Sequence, residues 1–205
     1  MSLTIALPIA CVLENTALAD EGETRFSLQV GGSFAELNAF EASGSNALYG
    51  GALAVAQGFR NWLDAGVAVG FHRRGDAVID DAILDGVGGT PVGTYRLFTD
   101  VQTFSAATTI RAYLEVGPFL RLRPLVGVRV GGEATQFASP QLFAGNTPSS
   151  AVGDNKWEFA PLGGAEVGIA YRLTDSFEGA VLLSAESSSV QTNFGLTLEV
   201  SWQRL

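Results

Sequence analysis

The chain has 205 residues, 47% of them hydrophobic, and it carries a formal net charge of −9 at pH 7. This hydrophobic content excludes a disordered chain, and no stretch approaches the ~18 consecutive apolar residues of a membrane-spanning helix. The acidic balance argues against a nucleic-acid binder, which would carry a basic stripe.

The N-terminus has the features of a secretory signal peptide. Residues 3–13 (LTIALPIACVL) form an apolar run, and Ala17-Leu18-Ala19 has the small-x-small pattern of a cleavage site. No Lys or Arg precedes the run, which departs from the usual signal, and a buried strand or short helix is the alternative for these residues. We predict a signal peptide over 1–19 and a single domain over 20–205 that contains no cysteine.

From Thr24 onward the sequence alternates with a period of two, which is typical of β-strands. Eight segments are predicted to be strands: 24–36, 48–59, 62–73, 102–115, 119–133, 157–172, 177–186 and 193–203. Short connections at 60–61, 117–118 and 174–176 alternate with mostly longer ones at 37–47, 74–101, 134–156 and 187–192. Short turns at one end and long loops at the other predict an all-β, antiparallel up-and-down meander that is closed into a barrel.

The two faces of these strands differ in charge. One face is apolar, with charged residues only at two strand ends, Glu36 and Arg73. The opposite face carries Gly, Ala and the charged residues Arg25, Asp64, Arg111, Glu115, Arg121, Arg123, Arg129, Glu133, Glu158, Glu166, Glu178, Glu186 and Glu199.

Two kinds of barrel fit this alternation. A soluble, lipocalin-like barrel turns its apolar face inward and could bind a small apolar ligand, whereas a membrane barrel turns that face outward to lipid. The exclusion of charge and the many Gly and Ala residues on the charged face favour the membrane barrel. Aromatic residues near strand ends favour it too, because they match the girdles of membrane barrels: Tyr49, Phe59, Phe159, Tyr171, Phe194 and Trp202.

Three local sequences carry a more specific resemblance. They are RLRPLVGVRVGGE at 121–133, GIAYRLTDSFEGAV at 168–181 and NFGLTLEVSW at 193–202. With their order along the chain, they make it similar to the eight-stranded bacterial outer-membrane β-barrels of the opacity-protein and outer-membrane-protein-A-like superfamily. The resemblance implies a Gram-negative outer membrane and a final strand that the assembly machinery recognises. The usual terminal Phe is replaced here by Trp202-Gln203-Arg204-Leu205.

An eight-stranded barrel is just wide enough for its side chains to fill it, so the inward charges should pair with one another. A narrow ion path is the alternative. We predict a non-enzymatic protein without cofactor or metal, in contact with outer-membrane lipid. Its role would be structural or adhesive, with loops 74–101 and 134–156 meeting any extracellular partner.

Two features could carry further chemistry. His72 is the only histidine, and a lipid-modifying enzyme that uses His72 with Asp64, Glu115 or Ser105 is an alternative function. The carboxylates of segment 74–101 could hold a divalent cation, although their spacing is not that of an EF-hand and a solvated acidic loop is the simpler interpretation: Asp76, Asp80, Asp81 and Asp85.

Overall fold

The computed structural model describes residues 22–39, 42–84, 93–114, 121–144, 147–148, 155–174 and 176–204. No helix in these ranges has the length and apolarity needed to cross a membrane. The predicted signal peptide and the turn at 117–118 lie outside the described residues. The strands of the described ranges are β1 (Thr24–Ala39), β2 (Ala42–Arg60), β3 (Leu63–Leu84), β4 (Gly93–Tyr113), β5 (Leu122–Ala144), β6 (Thr147–Pro148), β7 (Lys156–Arg172), β8 (Phe177–Ser187) and β9 (Gln191–Arg204).

Eight long strands form a closed antiparallel ring. The hydrogen-bonded order is β4-β3-β2-β1-β9-β8-β7-β5, and β4 also pairs with β5. The first and last strands join along their whole length, from Thr24 opposite Arg204 to Leu37 opposite Gln191. The prediction of a closed up-and-down barrel is confirmed, with β6 as a two-residue addition that pairs with the end of β5.

The described connections at one end of the barrel are tight turns. β2 turns into β3 at Asn61 and Trp62. Between β7 and β8, the Thr174 hydroxyl accepts hydrogen bonds from the backbone N–H groups of Ser176 and Phe177, at 3.3 and 3.1 Å. β1 begins and β9 ends at this same end of the ring.

The apolar face of the ring points outward. Large apolar side chains are exposed along the strands of the ring, reaching 77% exposure at Phe159. On β9 the exposed run from Phe194 to Trp202 has the length of the ~9–11 residues with which a tilted strand crosses a bilayer. The soluble-barrel alternative, which required this face to point inward, is therefore wrong.

Beyond this apolar belt, the polarity of the strands reverses. Along β4 the inward side chains Leu97 and Val101 are buried, while Arg96 points outward and is exposed. The same holds on β3, where Ile79 is buried and Asp80 is exposed. This arrangement, with apolar residues inside and polar residues outside, is that of a sheet in water, so the reversal marks the edge of the belt.

The prediction of loops at 74–101 and 134–156 is wrong for most of the described residues there, which form strands. β3 and β4 remain paired up to Leu84 opposite Gly93, and β5 continues to Ala144. The described pairing of β2 with β3 ends at Tyr49 opposite Arg73, and that of β7 with β5 at Lys156 opposite Phe137. We call the part of β3, β4 and β5 beyond these points (77–84, 93–100 and 138–144) the extension. Segment 37–47 is also mostly strand.

The outer strands of the extension carry irregularities. On β3 the pairing shifts between Ile79 and Ala82, and Asp81 has a φ of 58°. On β5, Ser139 has a φ of 47° and precedes Pro140, and its N–H is bound by the side chain of Asn155 at 3.0 Å. Bulges, charges and proline at sheet edges prevent edge-to-edge pairing with other chains.

A charge on the outward face should be costly only within the belt. Val128→Arg lies on the exposed face of β5 inside the belt, and it should lower the free energy of unfolding in liposomes by ~2–4 kcal/mol. Gln141→Arg, an exposed position of the same strand in the extension, is the matched control and should change it by about 0.5 kcal/mol or less. Equal effects in urea titrations of both variants would contradict the belt.

Candidate functional site

The charged residues of the inward face lie in stacked layers inside the ring. Eight of the predicted interior residues are buried: Arg25, Asp64, Arg111, Arg123, Glu133, Glu166, Glu178 and Glu199. Three are half-buried: Arg129, Glu158 and Glu186. Side chains alternate across a strand, so the period-two pattern of the sequence sends these residues to the interior.

The layer nearest the tight turns is built around the ring of Tyr113. Its hydroxyl accepts a hydrogen bond from Arg25 Nη1 at 2.6 Å and donates one to Asp64 Oδ2 at 2.8 Å. Arg123 Nη1 donates to Glu178 Oε2 at 2.8 Å, and the Arg123 guanidinium lies 4.2 Å from the centre of the Tyr113 ring. Two cations and two carboxylates therefore neutralise one another inside the ring, and the phenol bridges Arg25 and Asp64 by hydrogen bonds.

The middle layer joins three strands through Arg111. Its Nε donates to Glu166 Oε1 at 2.5 Å, and its Nη1 lies 3.0 Å from a carboxylate oxygen of Glu199. The amide of Gln29 donates to Glu199 at 2.7 Å, and the hydroxyl of Ser201 donates to it at 2.9 Å. Glu199 thus has one cationic and two neutral donors.

A small residue lets Arg111 reach Glu166. The two side chains stand on β4 and β7, and Gly127 of the intervening β5 is opposite both. A Cβ at Gly127 would lie 2.8 Å from Glu166 Oε1 and 3.2 Å from Arg111 Cγ. The glycine therefore provides the space in which the ion pair forms, which explains why Gly and the charged residues share one face.

The same arrangement recurs one layer further toward the extension. Arg129 of β5 pairs with Glu186 of β8 across Gly164 of β7, where a Cβ would lie 2.8 Å from Glu186 Cγ. This pair borders an interior cavity of ≈ 40 Å³. Its wall also includes His72 and Ser105, together with Gln29, Asn193 and several glycines.

The position of His72 bears on the enzyme alternative. His72 and Ser105 share the cavity with Glu186, but the cavity is inside the barrel and the lipid-facing surface is outside it. A cavity of ≈ 40 Å³ inside the ring has room for small polar groups or a few water molecules. A phospholipid is far larger, so this geometry does not favour lipid hydrolysis at His72.

A polar rim and an apolar cap lie beyond the cavity, toward the extension. In the rim, Glu133 accepts hydrogen bonds from Ser188 at 2.5 Å and from Gln191 at 2.9 Å, and Thr103 is paired with Thr135 at 3.1 Å. The cap is a buried apolar cluster on the inward face: Ala35, Leu37, Leu48, Ala77, Ile79, Tyr95, Leu97, Val101, Phe137, Leu142, Ala160 and Val190. Sequence reasoning missed the cap, although alternating apolar residues at 95–101 were its signal.

Three predicted interior residues differ from the expectation or lie outside the described residues. Arg121 is exposed, because it precedes β5 with a φ of 43° and is not part of the strand alternation. Glu158 is half-buried near the end of β7, where its carboxylate forms an ion pair with the exposed Lys156 at 2.5 Å. Glu115 lies outside the described residues.

Two acidic residues of 74–101, Asp80 and Asp100, form ion pairs with arginine. Of the other predicted cation ligands, Asp85 and the side chain of Asp76 lie outside what the structure describes. Arg96 Nε donates to Asp80 Oδ1 at 2.6 Å, and Arg73 Nη2 donates to Asp100 Oδ2 at 2.9 Å. Arg73 lies beyond the belt, and its hydrogen bond to Asp100 raises the pKa of Arg73. In the part of the chain that the structure describes, no group of three or more His, Cys, Asp or Glu side chains is placed to hold a metal ion.

The predicted girdle residues are all exposed on the outward face: Tyr49, Phe59, Phe159, Tyr171, Phe194 and Trp202. Trp202 packs against Phe26 of the neighbouring β1, with ring centres 6.0 Å apart. At the opposite side of the belt, Phe159 stacks on Trp157 at 6.3 Å, and Phe104 contacts Phe71 at 4.8 Å. Aromatic rings therefore lie on the outward face at both ends of the apolar belt.

Comparison with known proteins identifies the fold. No protein-family model and no curated protein matches the chain. The solved structure of Ail, the attachment invasion locus protein of Yersinia pestis, has a TM-score of 0.55 at 12% identity, covering 90% of this chain and 99% of Ail. A second Ail structure holds the heparin analogue sucrose octasulfate.

Two further solved structures share the fold. Neisserial surface protein A has a TM-score of 0.53 at 13% identity over 86% of this chain and 96% of its own. The outer membrane protein OprG from Pseudomonas aeruginosa has a TM-score of 0.53 at 10% identity over 91% and 99%. The fold predicted from the sequence, that of the eight-stranded outer-membrane β-barrels, is confirmed.

Removing one cation of the interior should be far more costly than removing an exposed one at the base of the extension. Arg111→Met leaves Glu166 and Glu199 buried without their cation, and the free energy of unfolding should fall by about 3–5 kcal/mol. Arg73→Met, which breaks an exposed ion pair, is the control and should leave it nearly unchanged.

A compensated variant separates charge from packing in the same urea titration. Arg111→Met combined with Glu166→Gln and Glu199→Gln should recover most of the lost stability, because no unpaired charge remains. If the triple variant were no more stable than Arg111→Met alone, uncompensated charge would not be the cause of the stability lost in Arg111→Met.

Proposed function

We propose that this chain is a non-enzymatic integral protein of a bacterial outer membrane, with a closed interior and an extension that meets the surroundings of the cell. The observation that carries the proposal is the outward apolar belt with its abrupt reversal of polarity at the base of the extension. Lipid on one side of that boundary and water on the other account for both patterns. Short turns on the periplasmic side and longer elements outside are the usual orientation of such barrels.

The closed interior supports a structural role over transport. Ions crossing the lumen would have to pass two buried layers of Arg–carboxylate pairs, the rim around Glu133 and the apolar cap. Opening any layer means separating buried charges or hydrating apolar side chains, and both are costly. We therefore infer that the interior stabilises the barrel and does not conduct.

The final strand fits a role in assembly. β9 completes the ring by pairing with β8 on one side and β1 on the other. Every second residue of β9 up to Trp202 points outward and is large and apolar, and the strand continues to Arg204. We infer that β9 is the segment that the outer-membrane assembly machinery recognises.

An adhesive role is supported by the extension, a paired sheet that continues beyond the belt. The described acidic residues of the extension are Asp80, Asp81 and Asp100. The nearby basic residues are Arg96 on β4 and Arg73 at the base of the extension, and each forms an ion pair with one of these carboxylates. Ail binds a heparin analogue in its crystal structure, but an acidic surface with its arginines already paired does not favour a polyanion here. Neutral or basic partners fit this surface better.

Conductance tests the closed interior. Protein inserted in planar bilayers should show no large, stable, ungated conductance steps, because the lumen is blocked in several layers. In each preparation, the presence of the folded barrel is verified by a shift in gel migration between the unheated and the heated sample. Steady steps from such verified preparations would contradict the closed interior, and recovery of the protein in a soluble fraction without detergent would contradict membrane insertion.

Heparin affinity tests the charge of the extension. Detergent-solubilised protein should pass through immobilised heparin at physiological ionic strength, because the described extension carries more acidic than basic groups. Retention that disappears in a variant with Arg73→Ser and Arg96→Ser would show instead that these arginines bind polyanions. Retention unaffected by the two substitutions would place a polyanion site elsewhere and would also contradict the expectation.

A further inference from the structure

Two arginines at the tight-turn end of the barrel form no ion pair with the carboxylates that the structure describes. Arg121 precedes β5 and is exposed, and Arg172 is the last residue of β7 and is half-buried. The backbone N–H of Arg172 donates to the carbonyl of Arg121 at 3.1 Å, so the two residues are neighbours. The carboxylates of the nearest interior layer, Asp64 and Glu178, are already bound by other arginines. Two cations this close repel each other, so this part of the surface favours an anion.

Beside these arginines, the outward face carries an apolar groove of ≈ 940 Å³ that spans β5, β7, β8 and β9. Leu122 and Tyr171, each adjoining one of the two arginines, are paired across β5 and β7 and line the end of the groove. Gly179 of β8 contributes to the depression, because it is an outward position without a side chain between Tyr171 and Val200 of the flanking strands. A Cβ at Gly179 would lie 3.8 Å from its nearest neighbour, a terminal carbon of Leu173, so the space above it is open.

The length of the groove matches a lipid chain in one leaflet. On β8 the groove runs from Gly179 to Leu183, which is ~13 Å at ~3.3 Å per residue, and half of a ~30 Å hydrocarbon core is ~15 Å. It begins at the tight-turn end, which the proposed insertion places on the periplasmic side. The groove therefore lies in the inner leaflet. An apolar space with a few polar groups at one end is the usual composition of a ligand site.

The coincidence of a groove with unpaired cations distinguishes this part of the belt. A second outward groove, of ≈ 680 Å³, lies between Phe104 and Phe159 toward the extension. Arg73 and Lys156, at that end of the belt, each form an ion pair with a carboxylate. Small outward residues thus occur in both halves of the belt. Among the side chains that the structure describes, a groove lies beside arginines without a counter-charge at the tight-turn end and not at the other.

We propose that this groove and its two arginines bind one anionic phospholipid of the inner leaflet. The guanidinium of Arg121 donates to the phosphodiester, since arginine matches the geometry of phosphate oxygens, and Arg172 adds a second positive charge beside it. The hydroxyl of Tyr171, at the same end of the groove, is a further donor, and one acyl chain lies in the groove over Gly179. The proposal rests on the membrane insertion proposed above.

Charge complementarity selects the headgroup. A lipid without charge leaves both arginines uncompensated, and a zwitterionic lipid brings its own ammonium group toward them. A headgroup whose only charge is its phosphate compensates them without that repulsion. The occupant is therefore a glycerophospholipid with net negative charge, of which phosphatidylglycerol is the simplest probe.

The headgroup is tested by native mass spectrometry of protein released from nanodiscs that contain equal amounts of phosphatidylglycerol and phosphatidylcholine. Wild-type protein should retain one phosphatidylglycerol with a preference of roughly 25-fold, because each arginine near a membrane surface contributes about fivefold. Arg121→Ser should lower the preference about fivefold, and Arg121→Ser with Arg172→Ser should abolish it. Arg60→Ser is the matched control: it removes an exposed arginine at the same end of the barrel, on β2, and should leave the preference unchanged.

The groove is tested separately from the arginines. Gly179→Leu fills the depression and should lower the retention of phosphatidylglycerol by about tenfold or more, because the acyl chain loses its apolar contact. Gly163→Leu is the matched control, since Gly163 is an exposed outward glycine of β7 with open space at its Cβ but lies outside the groove. An excess of inorganic phosphate should not displace the lipid from wild-type protein, because phosphate has no chain to occupy the groove.

Each sample is first shown to contain the folded barrel by its heat-shifted gel migration. Equal retention of the two phospholipids by the wild-type protein would overturn the proposal. So would retention that is unchanged in Gly179→Leu, displacement by inorganic phosphate, or an effect of Arg60→Ser as large as that of Arg121→Ser. Folded protein that does not enter nanodiscs or liposomes would instead contradict the proposed membrane location.

Discussion

The closed hydrogen-bond ring is the constraint on which the rest of this structure depends. In lipid an unpaired backbone N–H or C=O costs several kcal/mol, so a sheet can lie in a membrane only if it has no free edge. Here the ring closes where β1 meets β9, and Gln29–Glu199 and Ser27–Ser201 hydrogen bonds reinforce that seam from within. Closure fixes which side chains point inward, and with eight strands it leaves them little space.

That limited space explains the interior chemistry. A charged residue pointing inward must find a counter-charge within the ring, and a long side chain can cross to a partner two strands away only if the strand between is small. Arg111, Gly127 and Glu166 show this relation, as do Arg129, Gly164 and Glu186. Where the strands leave the belt, the proposed insertion puts water in place of lipid outside them, and the same alternation then buries apolar side chains such as Ile79 and Leu97 in the interior.

The sequence predicts those features that depend on alternation alone. Eight strands, their two faces and the exposed rings near the strand ends follow from a period of two and the absence of charge from one face. Which arginine meets which carboxylate depends on register between strands, which a single sequence does not contain, so the role of Gly127 was not predictable. The extension was mistaken for loops because its polarity is reversed and its outward residues, such as Asp80 and Arg96, resemble those of a solvated loop. Arg121 shows the limit of alternation at a strand end, where a positive φ turns the side chain out.

The account places lipid against the outward face up to the base of the extension and water beyond it. Spin labels placed singly on the outward residues of β5 measure this directly, by their accessibility to oxygen, which concentrates in lipid, and to a water-soluble nickel complex. Labels at 126, 128 and 130 should be accessible to oxygen and protected from the nickel complex. Labels at 141 and 143 should be accessible to the nickel complex and less accessible to oxygen. Nickel accessibility that is uniform along the strand in liposomes would contradict the account.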